Sequence, residues 1–269
     1  MRYLKVIIVF FITLLVIISC STVPLTSRKQ LNLMPASEML AMSDQQYGQF
    51  LKEHKLSNNH QSAAMVKRVG TNIRQAVTRY LTEHNRADLL RGYDWEFNLV
   101  EDKQANAWCM PGGKVVVYTG ILPITKNETG LAVVMGHEIA HAIARHGAER
   151  MSQEMMRQLG GMALAVALQE KPQETQALWL AAYGVGTQVG VILPYSRLHE
   201  SEADHLGLIF MAMAGYDPHA APEFWKRMQK MNHSAKPPEF LSTHPSDETR
   251  IQNLQKWIPE AMKYYHKNK

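Results

Sequence analysis

His137, Glu138 and His141 form a His-Glu-x-x-His pattern, and a helix carrying it presents two imidazoles four residues apart on one face. Two such nitrogens can reach one tetrahedral metal ion. Glu138 lies one residue round the helix from the first imidazole. It is placed to hold the attacking water and take its proton rather than to ligate. The spacing therefore predicts His137 and His141 as ligands and Glu138 as general base, the bland alternative being a helical His pair satisfied within a core.

A hydrolytic site needs a third ligand, and one class of solution fails at once. A third histidine at the fixed offsets beyond His141 would require glycine and histidine where Ala144 and Gly147 stand, and His146 is one position out of phase. The next dense cluster of candidates is Ser196-Arg197-Leu198-His199-Glu200-Ser201-Glu202-Ala203-Asp204-His205. Glu200 and Asp204 stand at i and i+4 there, so that one can ligate while the other hydrogen-bonds a ligating imidazole from behind. The competing reading is a solvated charged face. Near the C-terminal end His244 precedes Pro245, which holds its backbone extended and outside a helix, so this imidazole is also available to a metal site.

These motifs resemble the HtpX-like and CAAX-prenyl-protease-like gluzincin metallopeptidases, and within them the bacterial periplasmic lipoprotein members of LoiP and BepA type. The resemblance also runs through Asn106-Ala107-Trp108-Cys109-Met110-Pro111-Gly112-Gly113-Lys114, Val117-Tyr118-Thr119-Gly120 and Ser242-Thr243-His244-Pro245-Ser246, covering roughly residues 60 to 256. It implies one Zn2+ per chain held by His137, His141 and Glu200, with Asp204 behind a ligating imidazole. It implies that the stretch from Asn106 to Val117 is a substrate-binding strand edge. It also brings His244 near the zinc, either stabilising the developing oxyanion or occupying the open metal position as a self-inhibitory switch. The implied substrates are misfolded or stalled envelope proteins, with outer-membrane assembly machinery a possible partner. Members that recruit that machinery carry a helical-repeat extension, and the sequence ending at Lys269 favours the shorter LoiP-type arrangement. The competing function is a chaperone-like binding protein whose zinc site is plugged.

The positioning elements follow from patterning. Arg2 and Lys5 precede an apolar run, Val6 to Ile18, that is too short to span a bilayer comfortably. Ile17-Ile18-Ser19-Cys20 resembles a lipobox. Residues 1–19 are therefore expected to be a signal peptide, with a lipid on Cys20 tethering the chain to the periplasmic face of the outer membrane. Residues 20–59 read as tether and first helix, and residues 60–269 as the peptidase domain. Lipidation of Cys20 would leave Cys109 with no partner for an intrachain disulfide. The formal charge of +5 falls to +3 without Arg2 and Lys5, and no basic run is dense enough to suggest nucleic acid.

An apolar content of 46% suffices for a sizeable core. Met65, Val66, Val69, Ile73, Val77, Tyr80 and Leu81 recur at helical spacing, with Gly92 expected to end that helix. Trp95, Phe97 and Leu99 alternate as one strand, and Lys114 to Thr119 follows a Pro-Gly-Gly turn as another. The metal helix is expected to start at the Asn127 cap and run past Arg150. Leu159 to Leu168 and Ala177 to Leu193 are two apolar segments, each too short to span a membrane, expected to pair as helices over the cleft. A membrane-dipping hairpin is the sharper alternative. Pro194 should break the second of them and Ser196 should cap the next helix, while Ser246 should cap the last. The expected fold is α+β and predominantly helical, a gluzincin domain with a small β-sheet beside the zinc-binding helices.

Overall fold

The computed structural model describes residues 20–24, 26–232 and 238–266, so the expected signal segment lies outside the described residues. The chain is predominantly helical with small sheets, as its patterning requires. Two compact units emerge. Among the described residues, one contains those up to Ala36 together with Arg145–Leu198, and the other contains Ser37–Ala144 and those from His199 onward.

The second unit carries the motifs. Its first helix, α1 (Ala36–Glu53), buries Ser43 and Tyr47, and the Ser43 hydroxyl donates to the Pro111 carbonyl at 2.6 Å. Helix α2 (His60–Glu83) is capped by Asn59, whose side chain accepts from the Ser62 amide, and it buries Val66, Val69, Ile73, Val77, Tyr80 and Leu81 along one stripe. The helix stops at Glu83 rather than near Gly92. Asn85 turns left-handed (φ 56°) and a short 3-10 turn, Ala87–Leu90, intervenes.

Three strands follow in the order β3-β5-β4: β3 (Glu96–Val100) pairs in parallel with β5 (Lys114–Tyr118), and β4 (Ala107–Met110) pairs antiparallel on the other side of β5. Every residue of β5 is buried, as befits a central valine-rich strand. The hairpin from β4 to β5 turns through Gly112 and Gly113, both at positive φ. Phe97 of β3 lies so close to Gly70 that a Cβ there would meet the ring at 2.2 Å, which lets α2 pack flat on the sheet.

After a short helix, α3 (Leu122–Thr125), the metal-motif helix α4 (Glu128–Ile143) begins at Asn127, whose side chain accepts from the Gly130 amide at 2.9 Å. From Gly130 to Ile143 every residue is buried. The helix does not continue past Arg150. Arg145 adopts a left-handed conformation (φ 57°) and α5 (His146–Leu168) starts afresh.

Helix α6 (Gln173–Thr187) leads through a π-helical turn, Gln188–Ile192, into α7 (Leu193–Met213), so residues 173–213 form one continuous run of 41 residues. The expected break at Pro194 does not occur, and Ser196 lies inside α7 rather than at its cap. The π turn shifts the hydrogen-bond ladder just before the proline, which accommodates a residue lacking an amide hydrogen. The run is also long and apolar enough, by length and composition, to cross a membrane, unlike the two short pieces expected. The unit is completed by α8 (Ala220–Asn232), α9 (Glu239–Thr243) and α10 (Glu248–Ala261), the last capped by Asp247 and not Ser246.

In the first unit, β1 (Cys20–Thr22) and β2 (Lys29–Leu31) form an antiparallel hairpin. It is tied to α5 by two 2.8 Å hydrogen bonds from the Arg28 guanidinium to Glu149 and by the Leu33 amide donating to Ser152 at 3.0 Å.

Candidate metal centre

Helices α4 and α7 cross at glycines. A Cβ on Gly207 would lie 2.9 Å from the Gly136 carbonyl carbon and the His137 amide nitrogen, so the two backbones approach as closely as glycine alone allows. That contact brings the His-Glu-x-x-His face of α4 against Glu200 and Asp204, one turn apart on α7.

His137, His141, Glu200 and His244 each offer a donor atom, and all four atoms lie within 4.8 Å of one another in buried surroundings. His137 Nε2 is 3.0 Å from His141 Nε2, 3.1 Å from His244 Nδ1 and 3.3 Å from Glu200 Oε2. His141 Nε2 is 3.2 Å from Glu200 Oε1. Tetrahedral zinc with metal–nitrogen bonds of about 2.0–2.1 Å spaces its donors about 3.3–3.4 Å apart, so this set fits zinc in number, type and spacing. The residue the sequence offered as third ligand is thus beside both imidazoles. His244, from the loop after α9, joins them, within 2.9 Å of Glu200.

The surrounding groups orient the donors. The His137 Nδ1–H donates to Asp204 Oδ1 at 2.9 Å, which fixes the tautomer that leaves Nε2 facing the other ligands. Burial alone would push the His137 pKa down, but the hydrogen bonds to Asp204 and Glu200 outweigh it and raise it to about 9. Burial likewise opposes the Glu200 charge, yet the three histidines hold its carboxyl well below the usual range. In a metal-free chain a proton therefore takes the place a cation would fill. Glu138 is buried with its Oε1 3.3 Å from His244 Nε2.

Arg250 is the residue that the sequence reading missed. Its Nη2 donates to Asp204 at 2.7 Å, its Nη1 donates to the Pro245 carbonyl at 2.9 Å, and Nη1 lies 3.3 Å from Glu200. The guanidinium carbon sits 3.2 Å from the centre of the Trp225 ring. One cation thus ties both α7 carboxylates to the loop that carries His244. A faint signal existed: an arginine in the first turn of a helix opposes the helix dipole and calls for acidic partners elsewhere.

Strand β4 lies at the sheet edge and packs against α4. Cys109, in the middle of it, is half-buried, and desolvation together with the Glu138 carboxylate pushes its thiol well up. This disfavours a reactive thiolate and sets the edge strand beside Glu138. Tyr195, Arg197 and His146 belong to the other unit.

The family model described as peptidase family M48 matches residues 68–258. The chain is 34% identical over 243 residues to the mitochondrial metalloendopeptidase OMA1 of Schizosaccharomyces pombe, an alignment covering 89% of this chain and 66% of that protein. It is 30% identical over 246 residues to the mitochondrial metalloendopeptidase OMA1 of Homo sapiens, covering 89% and 46%. It is 34% identical over 165 residues to the beta-barrel assembly-enhancing protease of Escherichia coli K12, covering 58% and 33%. The chain therefore spans between one third and two thirds of the length of these relatives.

Proposed function

The chain belongs to peptidase family M48, and on that premise we propose that it is a zinc metalloendopeptidase, one ion per chain, that cuts unfolded or misassembled envelope proteins. The convergence of His137, His141 and Glu200 beside Glu138 carries this reading. When bound, zinc would supply the positive charge that polarises a scissile carbonyl and acidifies a water. Glu138 takes the proton of that water as it attacks and returns it to the leaving amine. Asp204 and Arg250 hold the ligands at rest. The free side of β4 accepts an extended peptide through main-chain hydrogen bonds, a mode that needs an unfolded segment and tolerates many sequences.

His244 supports a resting state in which its imidazole serves as a fourth protein ligand and closes the position that a catalytic site keeps open. On this reading the Ala variant at position 244 cleaves faster than wild type at unchanged zinc content, whereas slower cleavage would make His244 a transition-state donor.

The basic start, the apolar run and Cys20 support a location on the periplasmic face of the outer membrane, held by a lipid on Cys20. Two of the relatives are named as mitochondrial and the third for β-barrel assembly, so the envelope setting rests on this chain's own N-terminal pattern. The decisive experiment measures zinc content and cleavage of an unfolded protein together. Glu138→Gln should keep zinc and lose about 10²–10⁴-fold in rate. A variant that still cuts overturns the base assignment, and a wild type that binds unfolded protein without cutting would move the chain to the chaperone-like reading.

A further inference from the structure

In the first unit, helices α5 and α6 form a hairpin closed by Tyr183, whose hydroxyl donates to the Arg157 carbonyl at 3.0 Å and whose ring lies against Gly160 and Gly161. From Thr175 to Ser196 there is no charged residue, and none from Gln158 to Gln169. Helix α6 has no buried residue at all. Its apolar side chains stand in the open on several sides: Leu178 is 70% exposed, Val185 66% and Trp179 56%, with Val166 and Met162 of α5 at 65% and 58%. A helix that is apolar around its circumference belongs in a protein core or in lipid, and among the described residues of its own unit α5 packs along this one without burying any of its residues.

We propose that the α5–α6 hairpin embeds in a phospholipid leaflet, forming a second membrane contact next to Cys20. The inference rests on the lipid-anchor reading for how the hairpin reaches the bilayer. The hairpin's own unit contains the β1–β2 ribbon that starts at Cys20, and Arg28, Leu33, Glu149 and Ser152 pin that ribbon to α5. A lipid on Cys20 therefore delivers this hairpin, in particular, to the membrane surface.

The hairpin lies in the plane of the leaflet and does not cross it. The uncharged arm of α5, residues 158–169, reaches about 18 Å, well short of a hydrocarbon core of about 30 Å. The turn between the helices carries Glu170 and Lys171, and the first turn of α6 carries Glu174, all of which would have to pass through that core. Lying flat, the apolar sides enter the acyl region, while Arg157, the turn and Arg197 stay among the headgroups. The length of the 173–213 run does not argue for a span either, because from His199 onward it carries the buried groups of the metal centre. A second copy of the chain would require one apolar face, whereas Leu178 and Trp179 already point about 100° apart.

The test reconstitutes the full chain into vesicles of phosphatidylethanolamine and phosphatidylglycerol, with and without bromine on the acyl chains. The emission of Trp179 is read as the difference between wild type and Trp179→Phe, and mass spectrometry establishes whether Cys20 carries lipid. The expected result is loss of most Trp179 emission in brominated vesicles and no quenching by aqueous iodide. Leu178→Glu combined with Val185→Glu should restore the emission in brominated vesicles while Cys20 keeps the chain on them. Quenching of Trp179 by iodide overturns the proposal, and so does protection from both quenchers, which would mean that protein covers the hairpin. If Cys20 carries no lipid, the anchor reading fails by itself. Quenching of Trp179 by bromolipid would then still establish the hairpin contact.

Discussion

At the scale of single residues the metal centre is a set of ligands whose orientation is imposed from behind. Asp204 fixes one imidazole, and Arg250 fixes Asp204, approaches Glu200 and grips the Pro245 carbonyl. Removing that cation leaves the two buried carboxylates with His137 as their shared cationic partner in the metal-free fold, a cost of several kcal/mol before a metal enters and less once it does. Arg250→Ala should therefore weaken zinc binding about 10–100-fold, as expected for loss of a group that orients a ligand. Competition with a chromophoric chelator reads that affinity independently of turnover. Arg250→Lys should recover only part of it, since one ammonium cannot reach Asp204 and the Pro245 carbonyl in the same fork geometry. Wild-type affinity in both variants would reduce Arg250 to a packing residue on Trp225.

At the scale of elements, the geometry depends on how closely two helices can approach. The α4–α7 crossing at Gly136 and Gly207 leaves no room for even a methyl group, because the atoms it would meet are backbone. Gly207→Ala should separate the helices by a few tenths of an ångström or more and destabilise the unit by about 1–3 kcal/mol, the usual cost of overpacking. Zinc affinity should fall with it, because Glu200 and His137 sit on opposite sides of that crossing. Thermal unfolding and zinc titration on one preparation check both. A stable variant with reduced zinc affinity would place the whole effect on ligand spacing, and an unaffected variant would refute the argument. A second element-scale feature was illegible locally. Pro194 signals a helix end by every local rule, yet the run continues because the π turn before it absorbs the missing hydrogen bond.

At the scale of the molecule, metal binding and folding are linked. The candidate metal centre draws its donor atoms from residues 137, 141, 200 and 244, so an ion held there would bridge helices and a loop far apart in sequence. Stripping zinc should lower the melting temperature of the unit, and at a free-zinc concentration about 1,000 times the dissociation constant the stabilisation is about 4 kcal/mol. The difference depends on pH. The His137 pKa is raised from 6.5 to about 9 in the metal-free fold, so its protonated form stabilises that fold below pH 6.5, and the contribution is lost as pH rises through about 9. Zinc must displace the same proton, and its affinity therefore rises over the same interval. The melting-temperature gap between loaded and stripped protein should widen from pH 7 to pH 9, and a gap independent of pH would show that the proton and the metal do not compete.

The sequence by itself determined the local items. Periodicity marked α2, the Asn127 cap marked the start of α4, and the Pro-Gly-Gly turn marked the β4–β5 hairpin, because each depends on neighbours within a few residues. It also nominated His137, Glu138, His141, Glu200, Asp204 and His244, since metal chemistry restricts the residue types and a helix restricts their spacing. Where α4 ends, whether Pro194 interrupts its helix and which residue caps α10 were misjudged, because each turns on a backbone choice at one residue that propensity weighs only weakly. Only the tertiary structure decided that two glycines let α4 and α7 meet, that His244 joins the three expected ligands and that Arg250 stands behind them all. Those contacts join segments more than 40 residues apart, and no local rule of spacing reaches across that distance.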